Sequence, residues 1–306
     1  MKTSIFIKRE VAEMNFEGIV ITGTSCAGKS TIANELCKPR NSNTQSSFQL
    51  IKAITTRARR DDDNNYDYVT DEDFDLLVSE GKLLITSTYR GCKYGIKNDE
   101  SDKVFKSKKN KTPILILTSE ATKELSEKYY GRFMSFFIDA DNDELLYRKS
   151  LREKRTLANN EKEYFTKLIN NDREYSFVAN YVVYNNENAP SVQLIELLWN
   201  HKNNGGGLSH NIIQKMIQSG MLLDKAEISK INGASYDLSL GDEYYYGGKI
   251  NYMTDKNPFL TIEPYDYAIV SCTELARMPR DVTGKFGLTV SLFCQGIILS
   301  NGPSAN

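Results

Sequence analysis

Residues 23–31 read GTSCAGKST, which places Gly23, Gly28, Lys29 and Ser30 at the fixed positions of the G-x-x-x-x-G-K-[ST] pattern. The spacing suits one kind of chemistry, the gripping of a polyphosphate. Glycines let the backbone wrap a phosphate closely and turn its N–H groups inward at the start of a helix. On this reading Gly23, Ser25, Ala27, Gly28, Lys29, Ser30 and Thr31 hold ATP, with Lys29 spanning the β- and γ-phosphates and Ser30 offering its hydroxyl to Mg²⁺. A Gly-rich turn that holds no ligand is the alternative. Cys26, inside the loop, reads as a small filler.

A second cluster follows. Residues 54–69 read ITTRARRDDDNNYDYV, three arginines in four positions and then three aspartates and two tyrosines. Two guanidiniums converging on one phosphate give charge-assisted, partly bidentate hydrogen bonds, and tyrosine hydroxyls add donors. A surface loop whose Asp61–Asp63 neutralise the arginines is the competing reading. Further along, Arg148, Arg152 and Arg155 are spaced i, i+4, i+7 and share one face of a helix expected over residues 143–155. Residues 156–163 read as a short mobile loop, with Lys167 and Arg173 on the helix that returns. A solvated basic face is again the alternative.

The elements that must carry these groups alternate. Residues 18–23, 112–118, 132–139 and 180–185 read as buried strands, and 29–38, 143–155, 161–177 and 191–200 as helices. Near-continuous apolar strands between helices predict a parallel α/β sheet covered on both faces. Residues 200–209, NHKNNGGGLS, have linker composition. A short helix over 209–220 then leads into β-type runs punctuated by Gly, Pro and Asp, among them 259–264, 285–293 and 296–301, as in an all-β sandwich or barrel. The expected division is 1–200, a linker over 201–207, and 208–306.

Composition narrows the classes. The 306 residues hold 39 basic and 40 acidic side chains, so no global field draws the chain to nucleic acid or an anionic membrane. Five scattered cysteines and two histidines, His201 and His210, make a zinc site or a Cys–His dyad improbable. The N-terminal stretch carries charges where a signal peptide needs its apolar run, and no window approaches a membrane span. The expectation is a reduced, cytoplasmic chain acting on small-molecule nucleotides.

Residues 17–200 resemble guanylate kinase. The resemblance rests on the phosphate loop and on Thr55-Thr56-Arg57-Ala58-Arg59-Arg60, then NYDYV, EDF and CKYGI. It implies a P-loop kinase fold with ATP and Mg²⁺. Arg57, Arg60, Tyr66, Tyr94 and Gly95 would bind the acceptor's phosphate, and Lys29, Arg148, Arg152, Arg155 and Arg173 would act in phosphoryl transfer. Where the family reads guanine with a glutamate and a serine this chain has Ile85 and Ala53, and Thr118 and Ser119 stand where aspartates are usual. These departures put guanine specificity in doubt. They bear some likeness to ribose 1,5-bisphosphate phosphokinase and leave a non-catalytic nucleotide sensor or scaffold open.

Residues 207–306 resemble dCTP deaminases and their dUTPase relatives through INGASYDLSLGDEYYY (231–246) and TELARMPRDVTGKFG (273–287). That implies a β-clip fold that forms dimers or trimers, with a weak nucleotide site at Asp237 and Ser291. The family's Arg-containing phosphate segment falls on residues 288–293, where Thr289 takes the arginine's place. By comparison with that family the domain is expected to be incomplete, which makes deaminase or dUTPase activity doubtful and a bifunctional enzyme the remote alternative.

Overall fold

A computed structural model describes residues 16–39, 46–59, 65–99, 111–202, 206–256, 258–279 and 282–299. The chain divides into two compact units, Met1–Gly206 and Gly207–Asn306.

The first unit is built on a five-stranded sheet in the order β2-β7-β1-β8-β9, with every pairing parallel. β1 (Gly18–Gly23), β2 (Phe48–Leu50), β7 (Thr112–Ile116), β8 (Phe133–Asp139) and β9 (Tyr181–Tyr184) supply it. All seven residues of β8 are buried, including Phe136 and Phe137. Each such side chain contributes about 1.5–3 kcal/mol by leaving water, so this strand has to lie inside a sheet covered on both faces. Its one central polar residue is satisfied: the N–H and hydroxyl of Ser135 both donate to Asn180 Oδ1 at 2.8 Å.

Beside it lies a mixed four-stranded sheet ordered β4-β3-β6-β5, formed by β3 (Ala53–Thr55), β4 (Tyr66–Tyr68), β5 (Leu83–Tyr89) and β6 (Cys92–Lys97). α1 (Lys29–Leu36) follows β1, and α2 (Asp71–Ser79) follows β4 with the Thr70 hydroxyl accepting from the Asp73 N–H. α3 (Ser119–Lys128) starts where residues 117 and 118 leave the expected strand, because Thr118 caps it by accepting from the Ala121 N–H at 3.1 Å. α4 (Asn142–Glu153), α5 (Asn159–Glu174) and α6 (Ser191–Asn200) complete the unit.

Two expectations fail between α4 and α5. α4 stops at Glu153, since Lys154 adopts a left-handed conformation (φ 55°), so Arg155 does not share a helical face with Arg148 and Arg152. The expected loop over 156–163 is shorter, because α5 already begins at Asn159, where Glu161 accepts from the Ala158 N–H at 2.9 Å.

The second unit contains α7 (His210–Gln218), short antiparallel pairings between β10 (Leu222–Asp224) and β16 (Leu275–Arg277) and between β11 (Ile231–Asn232) and β12 (Ser235–Tyr236), and a three-stranded sheet β14-β13-β15. β13 (Leu240–Tyr246), β14 (Lys249–Tyr252) and β15 (Ile269–Cys272) form that sheet. Residues 259–264 and 296–299 form no strand, and residues 290–294 form a helical turn, α8 (Val290–Cys294), where a strand was expected. A short apolar run has no decisive periodicity, and with no strand beside it among the described residues nothing enforces an extended ladder.

Candidate functional site

The phosphate loop leaves the C-terminal end of β1 at the point where its neighbours β7 and β8 lie on opposite sides, the usual crevice of an open parallel sheet. The loop needs its glycines at both ends. A Cβ on Gly23 (φ 127°) would sit 2.0 Å from the Ile138 carbonyl oxygen, and one on Gly28 (φ 91°) 2.6 Å from Asn185 Nδ2. Cys26 also adopts a left-handed conformation, φ 69°, without being glycine. Lys29 opens α1 and folds back over the loop, its ammonium donating to the carbonyls of Gly23 at 2.8 Å and Thr24 at 2.6 Å. Burial lowers its pKa to about 8, against the opposing pull of Asp172.

A cavity of about 850 Å³ opens from this loop and runs to the mixed sheet. Gly23, Ser25, Gly28, Lys29, Ser30 and Thr31 line one end, while Ala27 is buried behind it. Arg57, Tyr66, Tyr94 and Gly95 line the other. Arg57 lies over the Tyr66 ring, 5.3 Å from its centroid, and donates to the Tyr68 hydroxyl at 3.3 Å; Tyr66 meets Tyr94 edge-on at 6.0 Å. Arg60 and Asp61–Asp63 lie outside the described residues.

The basic residues expected around the site separate into two groups. Arg148 and Arg152 line the cavity. Arg148 braces the loop from behind, donating to the Asn185 carbonyl at 2.7 Å and to the Ala27 carbonyl at 3.4 Å, while Asn185 Nδ2 donates to that same Ala27 oxygen at 2.8 Å. Arg152 lies within electrostatic reach of Lys29. Arg155 does not line the cavity: it forms a bidentate pair with Glu161 at 2.6 and 2.8 Å and meets Glu153 at 3.0 Å. Arg173 is also turned away, held on Asp139 at 2.7 Å and on the Ala140 carbonyl at 2.8 Å. Lys167 is exposed and does not line the cavity.

Sequence reasoning missed the carboxylate beside Arg173. Asp172, on α5, accepts from the Tyr89 hydroxyl at 2.9 and 3.0 Å and from the Ser25 N–H at 3.3 Å, with Arg90 Nη2 3.9 Å away. Burial raises its pKa, partly offset by the Tyr89 hydrogen bond and Lys29. A carboxylate thus sits against an N–H of the phosphate loop, and its charge opposes any polyphosphate placed there. Asp172→Asn keeps an acceptor for Tyr89 and removes the charge. With its charge screened by water and by Lys29, the carboxylate's removal should tighten ATP binding by at least roughly threefold in calorimetry; unchanged or weaker binding would show that the carboxylate does not compete.

In the second unit Asp237 is exposed, its N–H donating to the Lys230 carbonyl, and Ser291 is exposed on α8 with its hydroxyl 3.1 Å from that of Thr289. Neither lines the cavity. A buried carboxylate here is Glu274, which accepts from the Tyr236 hydroxyl at 3.0 Å and from the Ser239 N–H and hydroxyl at 2.9 and 2.8 Å. Burial pushes its pKa up, but these hydrogen bonds outweigh that and hold it low. A carboxylate satisfied in this way ties β15 and its neighbours to the 236–239 segment.

The Guanylate kinase family model matches residues 16–201. A guanylate kinase of Cutibacterium acnes is 25% identical over 133 residues, 42% of this chain and 63% of that protein. One from Streptococcus pneumoniae is 34% identical over 80 residues, 25% of this chain and 36% of its own. The C-terminal region is 35% identical over 82 residues to a dCTP deaminase of Thermococcus kodakarensis, 27% of this chain and 52% of that protein. The chain therefore spans 52% and 63% of the lengths of the first dCTP deaminase and guanylate kinase it matches. The crystal structure of guanylate kinase from Anaplasma phagocytophilum covers 63% of this chain and 90% of its own, with a TM-score of 0.47 and 19% identity.

Proposed function

Since the chain belongs to the guanylate kinase family through residues 16–201, with a P-loop α/β nucleotide kinase domain, we propose that it transfers the γ-phosphoryl group of ATP to a nucleoside or deoxynucleoside monophosphate. The observation that carries the reading is the single cavity lined at one end by Lys29 and at the other by Arg57, Tyr66 and Tyr94. Phosphoryl transfer requires little covalent help from a protein; it needs two anions brought together and their charge held by groups already in place.

The residues divide that work. The loop amides and Lys29 hold the donor's phosphates at the start of α1, where the helix dipole adds to the attraction. Arg57 and the hydroxyls of Tyr66 and Tyr94 hold the acceptor phosphate, with Arg60 the second arginine of the pair. Arg152 lines the cavity within electrostatic reach of Lys29 and offsets charge that builds on the transferring group. Asn185 and Arg148 fix the loop through Ala27.

Ser30, half-buried in the first turn of α1 and lining the cavity, offers one hard oxygen donor. That fits Mg²⁺, which takes its remaining ligands from phosphates and water rather than from a carboxylate cage. When bound, the ion neutralises phosphate charge as it develops. The test is an ATP-consumption screen of the full chain across ribo- and deoxyribonucleoside monophosphates and ribose 1,5-bisphosphate. One strong mononucleotide acceptor supports the kinase, a response to the bisphosphate alone replaces the acceptor class, and silence with ATP bound makes the chain a sensor.

The second unit we assign as a β-rich, dCTP deaminase-like module that binds nucleotides or joins copies of the chain. Support comes from the similarity and from apolar side chains left in water, such as Phe259 and Val290, 77% and 78% exposed. Sedimentation equilibrium of the full chain should give a dimer or trimer at micromolar concentration; a monomer there would remove the oligomerising role.

A further inference from the structure

Between the arginine–tyrosine end and the phosphate loop, one stretch of the cavity wall is aliphatic and hydroxylic. Ala53 and Ile85 are buried in the core beneath it, 4% and 3% exposed, and Ser87 and Thr118 stand beside them. Thr118 uses its hydroxyl twice, accepting from the Ala121 N–H at 3.1 Å and donating to Ser87 Oγ at 2.8 Å. Its proton is therefore committed to Ser87. Ser87 keeps its own proton and one lone pair for the cavity, so the dyad presents one donor next to acceptor oxygens.

Resting on the kinase reading above, we propose that the acceptor's base is a uracil or thymine, read by the Ser87–Thr118 hydroxyl pair against the Ile85 and Ala53 wall. The edge C=O···N–H of these bases matches one donor beside one acceptor. Guanine shares that edge but adds an exocyclic amino group, and Ile85 and Ala53 offer it no acceptor. Cytosine and adenine present an amino donor beside a bare ring nitrogen and lack the ring N–H. Hypoxanthine has the right edge, but it carries two further ring acceptors, N3 and N7, against the one further carbonyl of uracil, and Ser87 has a single proton to give. The thymine methyl, in contrast, finds an aliphatic surface. Glu120 lines the same cavity but is exposed, where water competes for its oxygens.

A polar group buried without a partner costs about 1–3 kcal/mol, which is roughly ten- to a hundredfold in affinity. Calorimetric titration of the full chain with dUMP, dTMP, dGMP, dCMP, dAMP and IMP decides the matter without any turnover. The expected result is dUMP or dTMP binding at least about tenfold tighter than the other four, with Ser87→Ala reducing that margin to within about threefold. Tightest binding of dGMP, dCMP, dAMP or IMP, no preference among the six, no binding of any of them, or an unchanged margin in Ser87→Ala would overturn it. Turnover in the presence of ATP is read separately. A pyrimidine nucleotide that binds but is never phosphorylated sinks the kinase reading and leaves the base assignment standing. A base-indifferent kinase does the reverse.

Discussion

Lys29→Ala lowers kcat for ATP-dependent phosphorylation by on the order of 10²–10³-fold while the chain stays folded, the scale set by removing one preorganised donor from a transferring group. The lysine opens α1 beneath the loop with its ammonium 2.8 and 2.6 Å from two loop carbonyls, so alanine removes a charge without emptying a core position. A pH signature separates this role from simple packing. Burial depresses the pKa of Lys29 to about 8 in the folded chain, below its ordinary value of 10.5. Below pH 8 the lysine is charged in both folded and unfolded chains, and the full cost of burying that charge is present. Between about pH 8 and 10.5 the unfolded chain holds the proton while the folded chain releases it, so this group makes stability rise with pH. Urea unfolding from pH 7 to 10 should show that rise in the wild type and its absence in Lys29→Ala. In the wild type kcat/KM, which reports the free enzyme, should fall as pH passes about 8. Undiminished phosphoryl transfer in Lys29→Ala would remove the lysine, and with it the phosphate-loop site, from the reaction.

The parts of the site that could be read from the sequence are those whose geometry is local. The phosphate loop is a contiguous run whose spacing implies a strand before it and a helix after it, and β1 and α1 flank it. Tyr66 and Tyr94 sit on the two strands that flank β3, where Ala53 pairs with Tyr66 and Thr55 with Tyr94, and Arg57 follows β3 by two residues, so a short sequence segment carries them to one cavity. What failed depended on where a helix stops. Counting i, i+4, i+7 from Arg148 assumes an unbroken helix, and the left-handed Lys154 ends it two residues before that count closes. Asp172 could have been singled out only by knowing that α5 returns past the loop: it is 147 residues from Ser25 and 83 from Tyr89. In the second unit, the apolar residues of 285–293 are too few for their spacing to decide between strand and helix, and no partner strand among the described residues completes a ladder there.

Arg173→Ala should destabilise the first unit by about 3 kcal/mol and leave the kcat of the folded protein nearly unchanged. Asp139 is 2% exposed at the end of β8, and Arg173 supplies its charged partner across 34 residues, at 2.7 and 3.3 Å. Thr24 and the Ala140 N–H also donate to Asp139, at 3.0 and 2.9 Å, but neither cancels its charge. Removing one member of a buried pair strands the other and costs about 3–5 kcal/mol; the lower end applies because Arg173 itself is 29% exposed. Asp139 also holds Thr24 of the phosphate loop, so the pair ties the helix after the α4–α5 turn to the cradle without touching the cavity. Arg173→Lys should recover part of the loss, since it restores charge but not the forked geometry. Arg173→Met combined with Asp139→Asn should recover more than Arg173→Met alone, because no unpaired charge is left behind. Urea unfolding of the four variants measures the stabilities, and saturating turnover measures kcat. A variant as stable as the wild type with kcat reduced a hundredfold would return Arg173 to the transferring phosphoryl group, the place the resemblance to guanylate kinase implied for it.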